Sequence, residues 1–177
     1  MRRYSQSAQV YDTRYFEEQE AKIKTIMQNL RMPQDSRVLD AGCGTGLLIK
    51  HLASRSRFLV GVDFSRGLLQ EAVKKARLCQ NVALLLADAD NMPFREQIFD
   101  AVFGITLLQN VPNPKATLTE VMRVSKQNAA IAVTGLRKRF TLKDFAKALN
   151  HAGLRVDKMK QDEMNREYVC ICRKVRR

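Results

Sequence analysis

Three glycines fall within five positions in "VLDAGCGTG", residues 38–46, directly behind an apolar run that carries Asp40. Missing side chains at Gly42, Gly44 and Gly46 let a ligand lie close against the backbone. The spacing narrows what that ligand is. A dinucleotide fingerprint beginning at Gly42 needs glycine at 47, where the chain has Leu47, and no Gly-Lys-Ser/Thr follows to cradle a phosphate. Asp63 then ends a second apolar run 21 residues after Gly42, where a carboxylate can accept both hydroxyls of a ribose. A nucleoside without a diphosphate meets all of these conditions.

Other side chains bear on chemistry further along. "TLLQNVPNP", residues 106–114, supplies Gln109 and Asn110. Neutral amides can orient an acceptor molecule but cannot take its proton, so the pair reads either as catalytic, acceptor-side residues or as turn stabilisers. Of four cysteines, Cys43 sits in the glycine loop, Cys79 is isolated, and Cys170 and Cys172 are two apart on a strand, facing the same way. No CxxC pair occurs, and the two histidines, His51 and His151, are far from the cysteines. That inventory predicts reduced structural thiols and no metal site.

These groups need a scaffold, and hydrophobic spacing predicts one of alternating helices and strands. Strands are expected at "RVLDAG" (37–42), "RFLVGVD" (57–63), "NVALLLAD" (81–88), "FDAVFGI" (99–105), "AAIAVTG" (129–135), "RVDKMK" (155–160) and "EYVCICRKV" (167–175). Between them lie helical patterns at 16–30, 46–54, 65–79, 115–125 and 141–153. Ser65 and Thr141 read as N-caps, and Gly153 as a helix stop. Strands apolar along their whole length, alternating with helices, imply an α/β fold with a mostly parallel sheet covered on both faces. Ligands then bind at the carboxyl ends of the strands. The glycine loop leaves the first strand at that edge, and the expected helix 46–54 would aim its amides at any anionic group on the ligand.

"VLDAGCGTG", "GVDFS", "ADADNMPF" and "FDAVFG", in this order and spacing, resemble the nucleoside-binding motifs of class I S-adenosylmethionine-dependent methyltransferases over roughly residues 4–177. The resemblance implies a doubly wound, seven-stranded Rossmann-like sheet with an antiparallel last strand. It divides the chain into an N-terminal helical segment, 1–30, near the cofactor and a methyltransferase domain, 31–177. S-adenosylmethionine is the implied cofactor. Gly42, Gly44 and Gly46, with Cys43 among them, would carry its methionine part, and Asp40 its amino group. Asp63 would take the ribose, and Asp88 the exocyclic amine of adenine, with Phe64 and Ala89 beside the ring. Tyr11 matches a tyrosine that approaches the cofactor. Methyl transfer is an in-line displacement, so holding the acceptor atom in place matters more than a strong base.

Charge points to the acceptor and its partners. The chain carries 31 Lys and Arg against 18 Asp and Glu, a net charge of +13 concentrated in residues 135–177. An excess so placed favours a polyanionic partner. The short connection "GLRKRF" leaves the acceptor site open and lines its rim with Arg137, Lys138 and Arg139, near Lys158, Lys160 and Arg166. RNA, tRNA or rRNA, is therefore the expected acceptor. The alternatives are a small-molecule or protein acceptor, or an inactive cofactor-binding subunit. Some RNA methyltransferases of this fold bind a small zinc-containing activator, and the edge strand Val82 to Leu86 is where one would pair, unless the run is ordinary core. A length of 177 residues suits one domain. With no apolar run of membrane-spanning length and no signal-type N-terminus, the chain reads as cytosolic.

Overall fold

A computed structural model describes residues 8–162 and 166–175, without the side chains of 8–15, 17, 18 and 162. Its strands are β1 (Arg37–Ala41), β2 (Phe58–Asp63), β3 (Val82–Leu86), β4 (Phe99–Gly104), β5 (Ser125–Leu136), β6 (Leu154–Asp162) and β7 (Glu167–Lys174). The helices are α1 (Ala8–Asn29), α2 (Ile49–Leu52), α3 (Arg66–Ala76), α4 (Pro114–Val124) and α5 (Leu142–His151). The seven strands form one sheet in the order β3-β2-β1-β4-β5-β7-β6. β7 runs antiparallel to both of its neighbours, and the remaining pairs are parallel. The doubly wound, mostly parallel sheet expected from the sequence is the one observed.

Side-chain alternation sorts the core onto two faces. Leu39, Val62, Val102, Ile131 and Val133 pack beneath α4 and α5, which contribute Leu118, Val121, Phe145 and Leu149. Val38, Leu59, Ala101, Phe103 and Ala132 face the other way, toward Ile23 and Ile26 of α1, Ile49 and Leu52 of α2, and Ala72 of α3. Cys170 and Cys172 share the first face, and both are free thiols. Burial pushes Cys172 up to about 12, so it is a packing residue rather than a nucleophile.

The helix starts follow the caps. Ser65 Oγ accepts from Leu68 N, and Thr141 Oγ1 accepts from Asp144 N at 3.1 Å. Asn113 Oδ1 accepts from Ala116 N, with Pro114 in the first turn of α4. Several elements depart from expectation: β5 begins at Ser125 rather than 129, and α3 ends at Ala76 rather than 79. α1 begins at Ala8 rather than Phe16, and α2 shrinks to Ile49–Leu52 followed by a 3₁₀ turn, Ala53–Arg55. Gly44 and Gly46 hold φ of +54° and +75°, and these left-handed positions keep residues 44–48 in turns. No long helix therefore aims its amides from position 46. The β3–β4 connection, 87–98, also contains no helix, which leaves the β3 corner of the sheet thinly covered.

Candidate cofactor and acceptor site

β1 delivers Asp40 to the carboxyl edge of the sheet, and the chain turns there with Gly42 N and Cys43 N both donating to Val62 O. The three glycines meet different surroundings. A Cβ at Gly42 would lie 2.7 Å from Leu107 Cδ1, and one at Gly46 would lie 2.6 Å from Ile49 Cδ1 and 3.2 Å from Ala72 Cα. At Gly44 nothing lies within 4 Å. Gly42 and Gly46 are thus demanded by packing, while Gly44 faces open space. Two adjoining cavities share Gly42, Gly44, Ile105 and Thr106. One is lined by Asp63, Phe64, Asp88, Ala89 and Asn110, the other by Gln19, Ile23, Asp40 and Cys43. Gly46 lines neither.

The two acids at the strand ends differ in how they are held. Asp63 accepts from Gly44 N at 2.9 Å through Oδ2 and from Ser65 N at 2.8 Å through Oδ1. Burial raises its pKa and the two backbone donors oppose that rise. A carboxylate has about four lone-pair positions, so the oriented group retains capacity for ligand hydroxyls. Asp40 is only 4% exposed and receives no hydrogen bond among the described residues. Burial, and then the neighbouring Asp63, push its carboxyl up to about 8. A buried acid with no partner beside a cavity is suited to an incoming cation.

The other wall is a loop held from α4. Glu120 Oε2 accepts from Met92 N, and Arg123 binds Glu120 and donates to Phe94 O and Met92 O. Asp90 accepts from the Thr117 hydroxyl, so it anchors the loop rather than standing solvated. This tether sets Asp88, whose Oδ1 accepts from Asp90 N, and the buried Ala89 opposite Phe64. Phe64 is 49% exposed. The Tyr11 side chain lies outside the described residues.

On the acceptor side the sequence-predicted amides part company. Asn110 lines the first cavity and donates from Nδ2 to Thr106 O. Gln109 lines neither cavity; its Nε2 donates to Glu167 Oε1 at 3.0 Å. Glu167 belongs to a cluster that sequence reasoning missed. Lys22 Nζ donates to Glu167 Oε2 at 2.9 Å and to Thr106 Oγ1 at 2.8 Å, and Thr106 Oγ1 donates to Gln19 Oε1. Lys22 is 1% exposed. The available signal was its position on the stripe of Gln19, Ile23, Ile26 and Leu30, where a lysine breaks an otherwise buried helix face.

Arg137, Lys138 and Arg139 are exposed on the β5–α5 connection, and none lines either cavity. Arg137 N donates to Arg166 O, which brings the β6–β7 turn alongside. Lys158 turns instead to α1, where it donates to Asn29 Oδ1. His51 pairs with Glu20, and among the described residues no group of His, Cys, Asp and Glu could hold a metal. No described helix is long and apolar enough to cross a membrane.

A mostly parallel sheet whose first two strands carry Asp40 and Asp63 at their carboxyl ends, around a glycine turn open at Gly44, defines a nucleoside-binding α/β protein. Residues 39–133 match the family model described as a methyltransferase domain, and the chain belongs to the class I S-adenosylmethionine-dependent methyltransferases. It is 34% identical over 122 residues to the demethylmenaquinone methyltransferase of Staphylococcus saprophyticus, covering 66% of this chain and 51% of that protein. The chain spans about half the length of the curated relatives it matches. Among solved structures, the methyltransferase-type chain complexed with the Haloferax volcanii Trm112 methyltransferase activator superposes with a TM-score of 0.88. The match covers 98% of both chains at 15% identity. The [4+2]-cyclase SpnF superposes with a TM-score of 0.80 at 18% identity, covering 89% of this chain and 82% of its own. Structural likeness at such identities shows the fold alone.

S-adenosylmethionine is accordingly the methyl donor. The residues present fit it: Asp40 is a buried carboxyl with no hydrogen-bond partner among the described residues, suited to an ammonium, and Asp63 has acceptor capacity for hydroxyls. When bound, the donor supplies an electrophilic methyl group.

Proposed function

We propose that the methyl acceptor is a small molecule built on a quinone or hydroquinone ring. The observation that carries this reading is the similarity to demethylmenaquinone methyltransferases. The acceptor side supports it. Its predicted residues are the neutral amides Asn110 and Gln109, while His51 is engaged by Glu20 on α1 and His151 lies on α5. A site of this kind works by positioning an electron-rich ring rather than by strong base catalysis. The RNA reading rests on the excess of basic charge and an open, basic rim, and the relatives named above do not carry an RNA substrate in their names.

In this reading Asp40 holds the donor's amino group, Gly44 its methionine part, and Asp63 the ribose. Asp88, Phe64 and Ala89 receive the adenine, while Gly42, Cys43 and Gly46 shape the turn. Tyr11, in segment 1–30, is assigned to approach the cofactor held by domain 31–177. The test is methyl incorporation from labelled S-adenosylmethionine into reduced quinone lipids, total RNA and total protein. Label in the organic phase upholds the reading, and label confined to RNA or protein overturns it.

The β3 edge supports a protein partner as well. Val82–Leu86 carries no charge and Leu86 is 48% exposed, whereas the opposite edge strand, β6, carries Arg155, Lys158 and Lys160. Charged residues guard an edge against pairing and their absence invites it. A Trm112-type activator, as in the Haloferax volcanii complex, fits this edge. Leu86→Lys should abolish co-purification with a co-expressed partner of that type and leave donor affinity unchanged; co-purification that survives the charge removes β3 as the contact.

A further inference from the structure

On the face of the sheet that carries α1, α2 and α3, three hollows adjoin one another, with volumes of about 850, 520 and 680 Å³. All three share Ser54. The first and second also share Lys50, and the second and third share Met27 and Arg55, so together they form one groove. It begins at Gly46 and Leu47, beside the glycine turn, and ends at Pro33–Asp35, ahead of β1. The five residues of β1 lie between those ends, and at about 3.3 Å per residue the groove is about 16 Å long or more.

Its lining combines apolar surface with charge of one sign. Met27, Leu30, Leu47, Phe16 and Leu78 supply the apolar part, with Phe16 41% and Leu78 97% exposed. The cations are Lys24, Arg31, Lys50, Arg55, Arg57 and Lys75, and the only lining carboxylates are Glu20 and Asp35. Both acids are already engaged, Glu20 by Lys50 and Asp35 by Arg57. Lys24, Arg31 and Arg55 are exposed and have no ion-pair partner among the described residues. A groove of this kind favours an occupant that brings both apolar side chains and negative charge.

The charges exclude the nearest candidates. A second copy of this chain carries +13, and residues 1–7 and 176–177 contribute Arg2, Arg3, Arg176 and Arg177 without a single acid. RNA would meet the cations but set its phosphates against Phe16 and Leu78, and a flat bilayer does not follow a groove. The walls are α1, α2, the 3₁₀ turn and the end of α3, which offer no strand edge to an extended peptide. A helix with carboxylates beside an apolar stripe satisfies the floor and the cations together. We infer that this groove docks an acidic amphipathic helix of a partner protein. The inference is independent of which acceptor is methylated.

The probe is a fluorescent peptide of about 18 residues, made of Leu, Ala and Glu with every Leu on one helical face. It is titrated in about 0.15 M salt beside a scrambled peptide of the same composition. The protein should bind the amphipathic peptide about tenfold more tightly than the scrambled one. Arg31→Glu with Arg55→Glu should weaken that binding about tenfold or more, whereas Arg137→Glu with Lys138→Glu, the same change of net charge on the rim, should leave it within about threefold. Leu78→Ser should weaken it about threefold or more. All five side chains are exposed, so Tm should be the same in every variant. Equal binding of the two peptides, no binding of either, equal loss in the groove and rim variants, or an unaffected Leu78→Ser overturns the inference. Tighter binding of phosphatidylglycerol vesicles or single-stranded RNA that only the groove variant loses overturns it as well, because the occupant is then a membrane or a nucleic acid.

Discussion

Asp40 is a carboxyl group kept from its charge. Its value, 3.8 when unperturbed, is pushed up to about 8 by burial and by Asp63. Below about pH 8 the acid therefore stays protonated in the cofactor-free protein, and the pairing proposed with the donor's ammonium requires proton release. Donor affinity should rise with pH by up to about tenfold per unit below pH 8 and level off above it. Stability follows the opposite sign. A folded-state value above the unfolded one favours folding at low pH, and that advantage is lost as pH rises from about 4 to about 8. Asp40→Asn should leave Tm unchanged below pH 4, raise it increasingly up to pH 8, and flatten the pH dependence of binding. Calorimetry across this range checks both effects, and an unchanged binding profile in Asp40→Asn would sink the assignment. If Asp63 takes the ribose as proposed, Asp63→Ala should weaken the donor by about 1–3 kcal/mol, since the carboxylate held by Gly44 N is gone. These acids were legible because each lies at a strand end beside its own motif. Lys22 and Glu167 were not, because they meet across 145 positions, and only the packing of α1 on the sheet brings them together.

At the scale of elements, the glycine loop separates demands that the sequence presents as one. The three glycines looked equivalent because their spacing shows freedom from side chains but not what occupies the space. Gly46 packs against Ile49 and Ala72, so Gly46→Ala meets backbone as well as side chain in a left-handed conformation. It should destabilise the fold by about 1–3 kcal/mol, read as a fall in Tm. Gly44→Ala carries only the left-handed penalty, about 1–2 kcal/mol, because no atom lies near the new methyl group. Its larger effect should be on donor affinity, and isothermal titration separates the two variants. If Gly44→Ala binds the donor normally, the open space is not the donor's. The succession of strands along the chain was readable from their apolar runs, while the antiparallel last strand followed only from the family resemblance. The length of α2 was not, since residues 46–54 have helical spacing and only the observed φ angles show that the turn continues to Leu48.

For the whole molecule, a net charge of +13 produces a long-range field that draws polyanions whether or not they are substrates. That is why the charge was legible and its purpose was not: composition reports a field, while an acceptor is chosen where the methyl group is delivered. Arg137, Lys138 and Arg139 stand outside both cavities. Replacing all three with Ala should remove up to three phosphate contacts and reduce the slope of log RNA affinity against log salt by about 2–3 units. Donor affinity should not move, because Asp40, Gly44, Asp63 and Asp88 lie on the cavities rather than on the rim. Methylation of a reduced quinone should not move either, since a neutral ring gains nothing from the rim field. A variant whose methyl transfer falls in step with its RNA binding would show that the rim delivers the acceptor, and RNA would then replace the small molecule.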